Sequence, residues 1–345
     1  MKYKILTILM ILIVVFSAQL FAGESTLTLP EYIQLVLENS TALEAAEVNA
    51  EDAVDAYDEA VISQASLFDL ELLKINAEYL EENILAVQNA EILSAVQHYY
   101  TYMGVQASLI FSGMNKETVS DEYRRNMERF ESDLISVNTI EQSEIAYITS
   151  SQSVSSAENN LLGQKKQIFR PLSTEWEEAG FSDYIIVENI PQLPEIGDLI
   201  TANPLVQKLE AEIALKDEKL IQLKGSTFAV PSELEQLADD LESLRTSLQN
   251  QIWSIEDSLY DFTTEMSATA LSLRAADLQV NIASRQLETI KMQLQQGEIY
   301  PSDVTTAEIP YLQAINNREG VAQDRFLQIL ELQARMNESL LLQFE

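Results

Sequence analysis

Apolar residues in this chain recur at steps of three and four over stretches far longer than an ordinary globular helix. Leu273, Ala276, Val280, Ala283, Leu287, Ile290 and Leu294 keep that spacing without a break, and so do Leu70, Leu73, Ala77, Leu80, Ile84 and Val87. Such seams predict long helices of coiled-coil type with a left-handed tendency. A second stripe, Leu271, Ala275, Leu278 and Ile282, lies two residues from the first, about 200° around a helix. A two-stranded coiled coil needs one stripe. Two on nearly opposite sides predict a helix held between neighbours, as in a curved wall or barrel of helices. The helix breakers agree with the long periods. No proline falls between Pro30 and Pro171, and those at 191, 194, 204, 231, 301 and 310 read as further punctuation.

The pattern occurs twice. Leu35-Val-Leu-Glu-Asn39 matches Leu199-Ile-Thr-Ala-Asn203. The segment from Ile135 to Tyr147 matches the one from Ile299 to Tyr311, and Leu80 with Leu244 and Leu109 with Leu273 keep the same offset of 164. A constant offset between distant landmarks implies an internal duplication. Each copy parses alike. A helix runs from near Pro30 or Gly197 through Ala60 or Leu223, and a break follows at Ser63–Ser66 or Gly225–Pro231. A long helix then reaches Phe130 or Gln296, and past a tip a return helix runs to Ile168 or the C-terminus. The expected fold is all-α, two tandem long antiparallel helical hairpins with little or no β. Residues 23–170 form the first repeat, 171–196 a linker and 197–345 the second repeat. Tyr184-Ile-Ile-Val187 in the linker reads as a short strand.

Residues 1–22 read as a signal peptide: Lys2 and Lys4, an apolar run from Ile5 to Val15, then small residues to Ala22. The run is short for a membrane span. Cleavage after Ala22 is expected, with an uncleaved N-terminal anchor as the alternative. An exported chain without cysteine has no disulfide, thiolate metal site or cysteine nucleophile. Acidic residues outnumber basic ones 55 to 21, so the net charge is −34, and loss of Lys2 and Lys4 takes it to −36. Electrostatic binding to nucleic acid is excluded. Disorder is excluded too, because 46% of residues are hydrophobic and regularly spaced. No phosphate loop, metal-ligand set or nucleophile–base pair stands out. His98, the single histidine, reads as a helix-surface or seam residue, and Asp239-Asp240 as part of a solvated face. No enzymatic activity, cofactor or metal is expected.

Leu27-Thr-Leu-Pro-Glu-Tyr-Ile-Gln-Leu-Val-Leu-Glu-Asn39, Asn203-Pro-Leu-Val206 and Gly297-Glu-Ile-Tyr-Pro-Ser-Asp-Val304, in that order on a duplicated frame, resemble the TolC-like outer-membrane efflux family. The resemblance covers nearly all of the chain after the leader. It implies a trimeric periplasmic α-barrel whose hairpin tips meet a membrane fusion protein and, through it, an inner-membrane transporter. Members of that family also carry a long β-hairpin in each copy, and these build a barrel in the outer membrane. Here the corresponding positions, Ser63–Phe68 and Gly225–Ser232, are too short for two membrane-crossing strands of about ten residues each. The expectation is a duct that stays in the periplasm and associates with the outer membrane through a partner. A periplasmic coiled-coil protein of structural or chaperone-like role, enclosing no channel, is the alternative.

The tips carry the functional expectation. Gly297, Ile299, Tyr300, Pro301, Asp303 and Val304 form one candidate docking turn, and Leu134, Ile135 and Val137 form the other. The first tip lacks the glycine and the later aspartate of the motif. Glu128, Glu131, Asp133 and Glu298 cluster near the same end, where in a trimer they would ring an aperture. Mutual burial of the apolar tip residues and simple solvation of the carboxylates are the alternatives.

Overall fold

In the computed structural model, residues 26–172, 180–181, 194–226, 230–299 and 301–344 are described. The proposed leader and the Tyr184–Val187 strand lie outside them. The chain starts with β1 (Thr26–Leu27), then α1 (Leu29–Glu38), α2 (Thr41–Ile62), α3 (Leu67–Glu131) and α4 (Val137–Phe169). After β2 (Gly180–Phe181) the order repeats as α5 (Ile196–Ala202), α6 (Pro204–Lys224), α7 (Pro231–Gln296) and α8 (Pro301–Arg335). A 3-10 turn, Leu340–Gln343, follows. The starts of α3 and α7, and those of α4 and α8, are each 164 residues apart. At about 1.5 Å per residue, the 65 residues of α3 span about 97 Å.

The first helix of each copy is broken, where the sequence reading has one continuous helix. The breaks fall at Asn39 and Asn203, the landmark that marks the duplication. Asn39 caps α1, its Nδ2 donating to the Leu35 carbonyl at 2.8 Å, and Ser40 then accepts from the Leu43 amide at 3.1 Å to start α2. In the second copy Asn203 Oδ1 accepts from the Val206 amide at 3.1 Å, and Pro204, which has no N–H to offer, opens α6. Prolines also stand in the first turn of α1 and α7. Pro310 is different. It lies inside α8 without ending it, where packing along α7 offsets one missing hydrogen bond.

The links at the other end of each first helix are short. Ser63–Ser66 joins α2 to α3, and Gly225–Val230 joins α6 to α7. Leu67, Phe68, Pro231 and Ser232, counted with these breaks from the sequence, belong to the following helices. After α2, Gln64 takes a left-handed φ of 58°, the Ala65 amide donates to the Ala60 carbonyl at 3.0 Å, and Ser66 caps α3. The chain thus reverses in four residues.

The core sits halfway along α3, where five distant segments meet. Tyr32 and Ile33 of α1, Ile92 to Tyr102 of α3, Ile168 and Phe169 of α4, Phe326 and Leu330 of α8, and Leu340 pack together. Half-buried Phe181, brought in by the linker, packs against them. Its ring lies 5.2–5.4 Å from those of Tyr32, Tyr99, Tyr102 and Phe169. Each such pair adds about 0.5–1.5 kcal/mol beyond area burial. Parallel pairing of β2 with β1, Leu27 opposite Phe181, holds it there. Tyr32 Oη donates to the Ile168 carbonyl at 3.1 Å, and burial pushes this phenol far above its usual pKa. The C-terminus is fastened by Asn89, 1% exposed: Nδ2 donates to the Glu338 carbonyl at 2.8 Å and Oδ1 accepts from the Leu340 amide at 3.0 Å.

α3 packs against α2 and α4 of its own copy and against α6 and α8 of the other. α7 packs against α6 and α8. Its buried residues Leu237, Leu241, Phe262, Ala276, Ala283 and Leu287 share one side. Trp253, Tyr260, Leu271, Leu278 and Ile282 are exposed and, at 100° per residue, lie within about 40° of one line on the opposite side. The double stripe in the sequence is therefore real, and its second half is uncovered in the single chain. His98 is exposed on α3.

Candidate docking tips

Each tip is the turn where a long helix gives way to its return helix, and the first lies about 45 Å along α3 from the core residue Tyr102. At the first tip the Leu134 amide donates to the Arg129 carbonyl at 2.8 Å and the Asp133 amide to the Phe130 carbonyl at 3.0 Å. At the second, the Glu298 amide donates to the Gln293 carbonyl and the Gly297 amide to the Leu294 carbonyl, both at 3.0 Å. These are the same Schellman closure. The left-handed residue is Asp133 (φ 55°) in one and Gly297 (φ 77°) in the other, 164 positions apart. Sequence comparison finds the first tip lacking the glycine, yet aspartate is one of the few residues that adopts this conformation at modest cost. The motif glycine is replaced rather than lost.

Ser136 then caps α4, accepting from the Thr139 amide at 3.3 Å. Below the first tip, Asn126 Nδ2 donates to Ser143 Oγ at 2.6 Å, and the rings of Tyr123 and Tyr147 stack at 5.7 Å. Below the second, Lys291 pairs with Glu308 at 3.4 Å, and Arg318 Nε with Asp277 at 3.2 Å. The hairpins are thus zipped by polar contacts of different chemistry on one backbone plan. Sequence periodicity reports neither set, because such pairs sit off the apolar seam.

The apolar tip residues divide into two groups. Leu134 (69% exposed) and Val137 project into solvent, whereas Ile135 and its counterpart Ile299 are half-buried. Val304 and Asp303 are also half-buried, in the first turn of α8. Ile140, equivalent to Val304 by the offset, is buried and was missed as a tip residue. Gly297 is exposed, Pro301 begins α8, and Tyr300 lies outside the described residues. Glu128, Glu131, Asp133 and Glu298 are all exposed. Among the described residues no group of three or more His, Asp or Glu is arranged to hold a metal ion. The described residues offer two turns of mixed apolar and acidic character.

No protein-family model matches the sequence, and no curated protein matches it. The fold, in contrast, is that of the helical part of TolC-like outer-membrane efflux channels. It is similar to the Campylobacter jejuni CmeC outer membrane channel, with TM-score 0.67 and 12% identity over 90% of this chain and 85% of that one. It is similar to the outer-membrane channel OprN, with TM-score 0.69 and 12% identity over 90% and 89%. A third similar structure is the Vibrio cholerae outer membrane protein VceC, with TM-score 0.66 and 11% identity over 90% and 96%. At these identities the likeness is one of fold.

Proposed function

We propose that this chain is the wall-forming subunit of a homotrimeric periplasmic duct of TolC-like type. Its hairpin tips dock onto a membrane fusion protein and, through it, an inner-membrane transporter in an efflux or export complex. The observation that carries this reading is the uncovered stripe on α7. In the duplicated frame α7 is the counterpart of α3, and α2 and α4 are the counterparts of α6 and α8. α3 is covered by α6 and α8. The matching contact for α7 needs an α2 and an α4 beyond those already packed on α3, which a second chain supplies. α4 carries exposed Ile145, Ile148 and Leu162 for such a contact, and α2 carries Val48. This head-to-tail pairing uses different faces on its two sides and propagates into a ring when the rotation closes.

In this reading the duct does not span the bilayer. The α2–α3 link has four residues and the α6–α7 link six, whereas a membrane hairpin needs two strands of about 9–11 residues. No helix among the described residues is long and apolar enough to cross a membrane. Mass photometry and electron microscopy of the purified chain test the proposal: a hollow trimeric ring is expected, and Leu278→Glu should convert it to monomers. A monomer or solid dimer of the unaltered chain would refute the duct and leave the channel-free structural or chaperone-like role. For the docking step, a photo-crosslinker at Ile299 should capture a periplasmic helical-hairpin protein, and one at the exposed α7 residue Asn281, several turns from the tip, should not.

A further inference from the structure

The end of the molecule opposite the tips is apolar in an unusual way. Leu67 (86% exposed) and Ile62 (81%) are the two most exposed large aliphatic residues described, and they flank the turn Ser63–Ser66. Val61 beside them is exposed as well, as are Ile221 (71%) and Val230 at the equivalent α6–α7 link. The two links share one end, because Lys219 of α6 places its Nζ 3.8 Å over the ring of Phe68 in the first turn of α3. Five aliphatic side chains therefore crown one end of the bundle. Folding leaves this apolar surface in water when a polar residue at each position would serve the turn equally well.

We propose that this crown inserts shallowly into the face of an electrically neutral lipid surface, so that the bundle stands on the membrane by its helix ends. Three features favour lipid over a protein groove. Ile62 and Leu67 flank a turn of four residues and stand highly exposed at helix ends. Ser63, Gln64, Ala65 and Ser66 are small or uncharged and suit the headgroup layer. Both links reach the same end. Charge selects the lipid. Asp58, Glu59, Asp69, Glu71, Glu218, Glu233 and Glu235 lie within two turns of the links against Lys219 and Lys224, so an anionic surface is repelled and a zwitterionic one is not. The inference concerns one chain's end and stands whether or not copies close into a ring.

Vesicle flotation of the full chain tests it, with mass photometry and circular dichroism on the same samples. The chain is expected to float with phosphatidylcholine–phosphatidylethanolamine vesicles and less well when phosphatidylglycerol is added. Ile62→Ser with Leu67→Ser should lower the partition coefficient by roughly tenfold or more at unchanged helicity and oligomer mass. Leu134→Ser at the opposite end should leave it unchanged. If the double variant loses helicity, Ile221→Ser carries the same expectation. Equal partitioning of the variants, no flotation of the unaltered chain, or loss of oligomer mass in the double variant would each overturn the proposal. The last outcome would assign the crown to contact between copies.

Discussion

Asn89 offers the most direct test of how the two copies are joined. Its amide makes two hydrogen bonds to the backbone after α8, one to the Glu338 carbonyl and one from the Leu340 amide. Leu340 is fully buried and Phe344 packs on Phe326 at 6.3 Å, so releasing the clamp frees the end of the chain from the core. In Asn89→Ala the Glu338 carbonyl, on an exposed residue, exchanges its bond for water at a net loss of about 1 kcal/mol. The buried Leu340 amide is left unpaired, which costs about 1–2 kcal/mol more. The expected loss is about 2–3 kcal/mol of local stability, or about thirty- to hundredfold faster amide exchange, since 1.4 kcal/mol is tenfold. Hydrogen exchange by mass spectrometry, read on a peptide covering residues 336–344, measures this directly. The equivalent position in the second copy is the exposed Trp253, and Trp253→Ala should leave the same peptide unchanged. A rise below about threefold in Asn89→Ala, or an equal rise in both variants, would refute the clamp.

Three further outcomes follow from the structure. Phe181→Ala removes the half-buried ring on which four others pack and should destabilise the core by about 2 kcal/mol, seen as a lower urea midpoint; an unchanged midpoint would show that the linker does not seal the core. Asp133→Gly should stabilise the first tip by about 0.5–1 kcal/mol and Gly297→Ala should destabilise the second by about 1 kcal/mol, and local exchange rates moving in the same direction would contradict the shared Schellman geometry. Hydrogen bonds from the Thr28 amide and hydroxyl hold the Glu31 carboxyl below the ordinary glutamate range. The unfolded chain therefore binds that proton more tightly, and the stabilisation is complete above the ordinary range and lost as pH falls through the lowered value. Glu31→Ala should lower Tm at pH 7 and have little effect near pH 2.

Much of this architecture is legible in the primary structure, for a physical reason. A seam of three- and four-residue steps has a single solution, a long helix with that side buried. Its recurrence at an offset of 164 dictates that whatever the first copy builds, the second builds again. The capping residues Thr28, Ser40, Ser66, Ser136 and Asn203 are local signals of the same kind, since each acts on an amide three residues away. Less local events escaped this reading. The break at Asn39 has no proline to announce it, and Asp133 takes a glycine's place without resembling one. Phe181, in a linker of no clear period, joins the core through ring contacts with residues 12 to 149 positions away. The clamp from Asn89 to Leu340 spans 251 residues, and nothing local to either end announces it. Periodicity declares that a helix has two apolar sides. Which of them is covered depends on how two identical plans are packed in one chain, and the tertiary structure answers it: α3 is enclosed on both, and α7 waits on one.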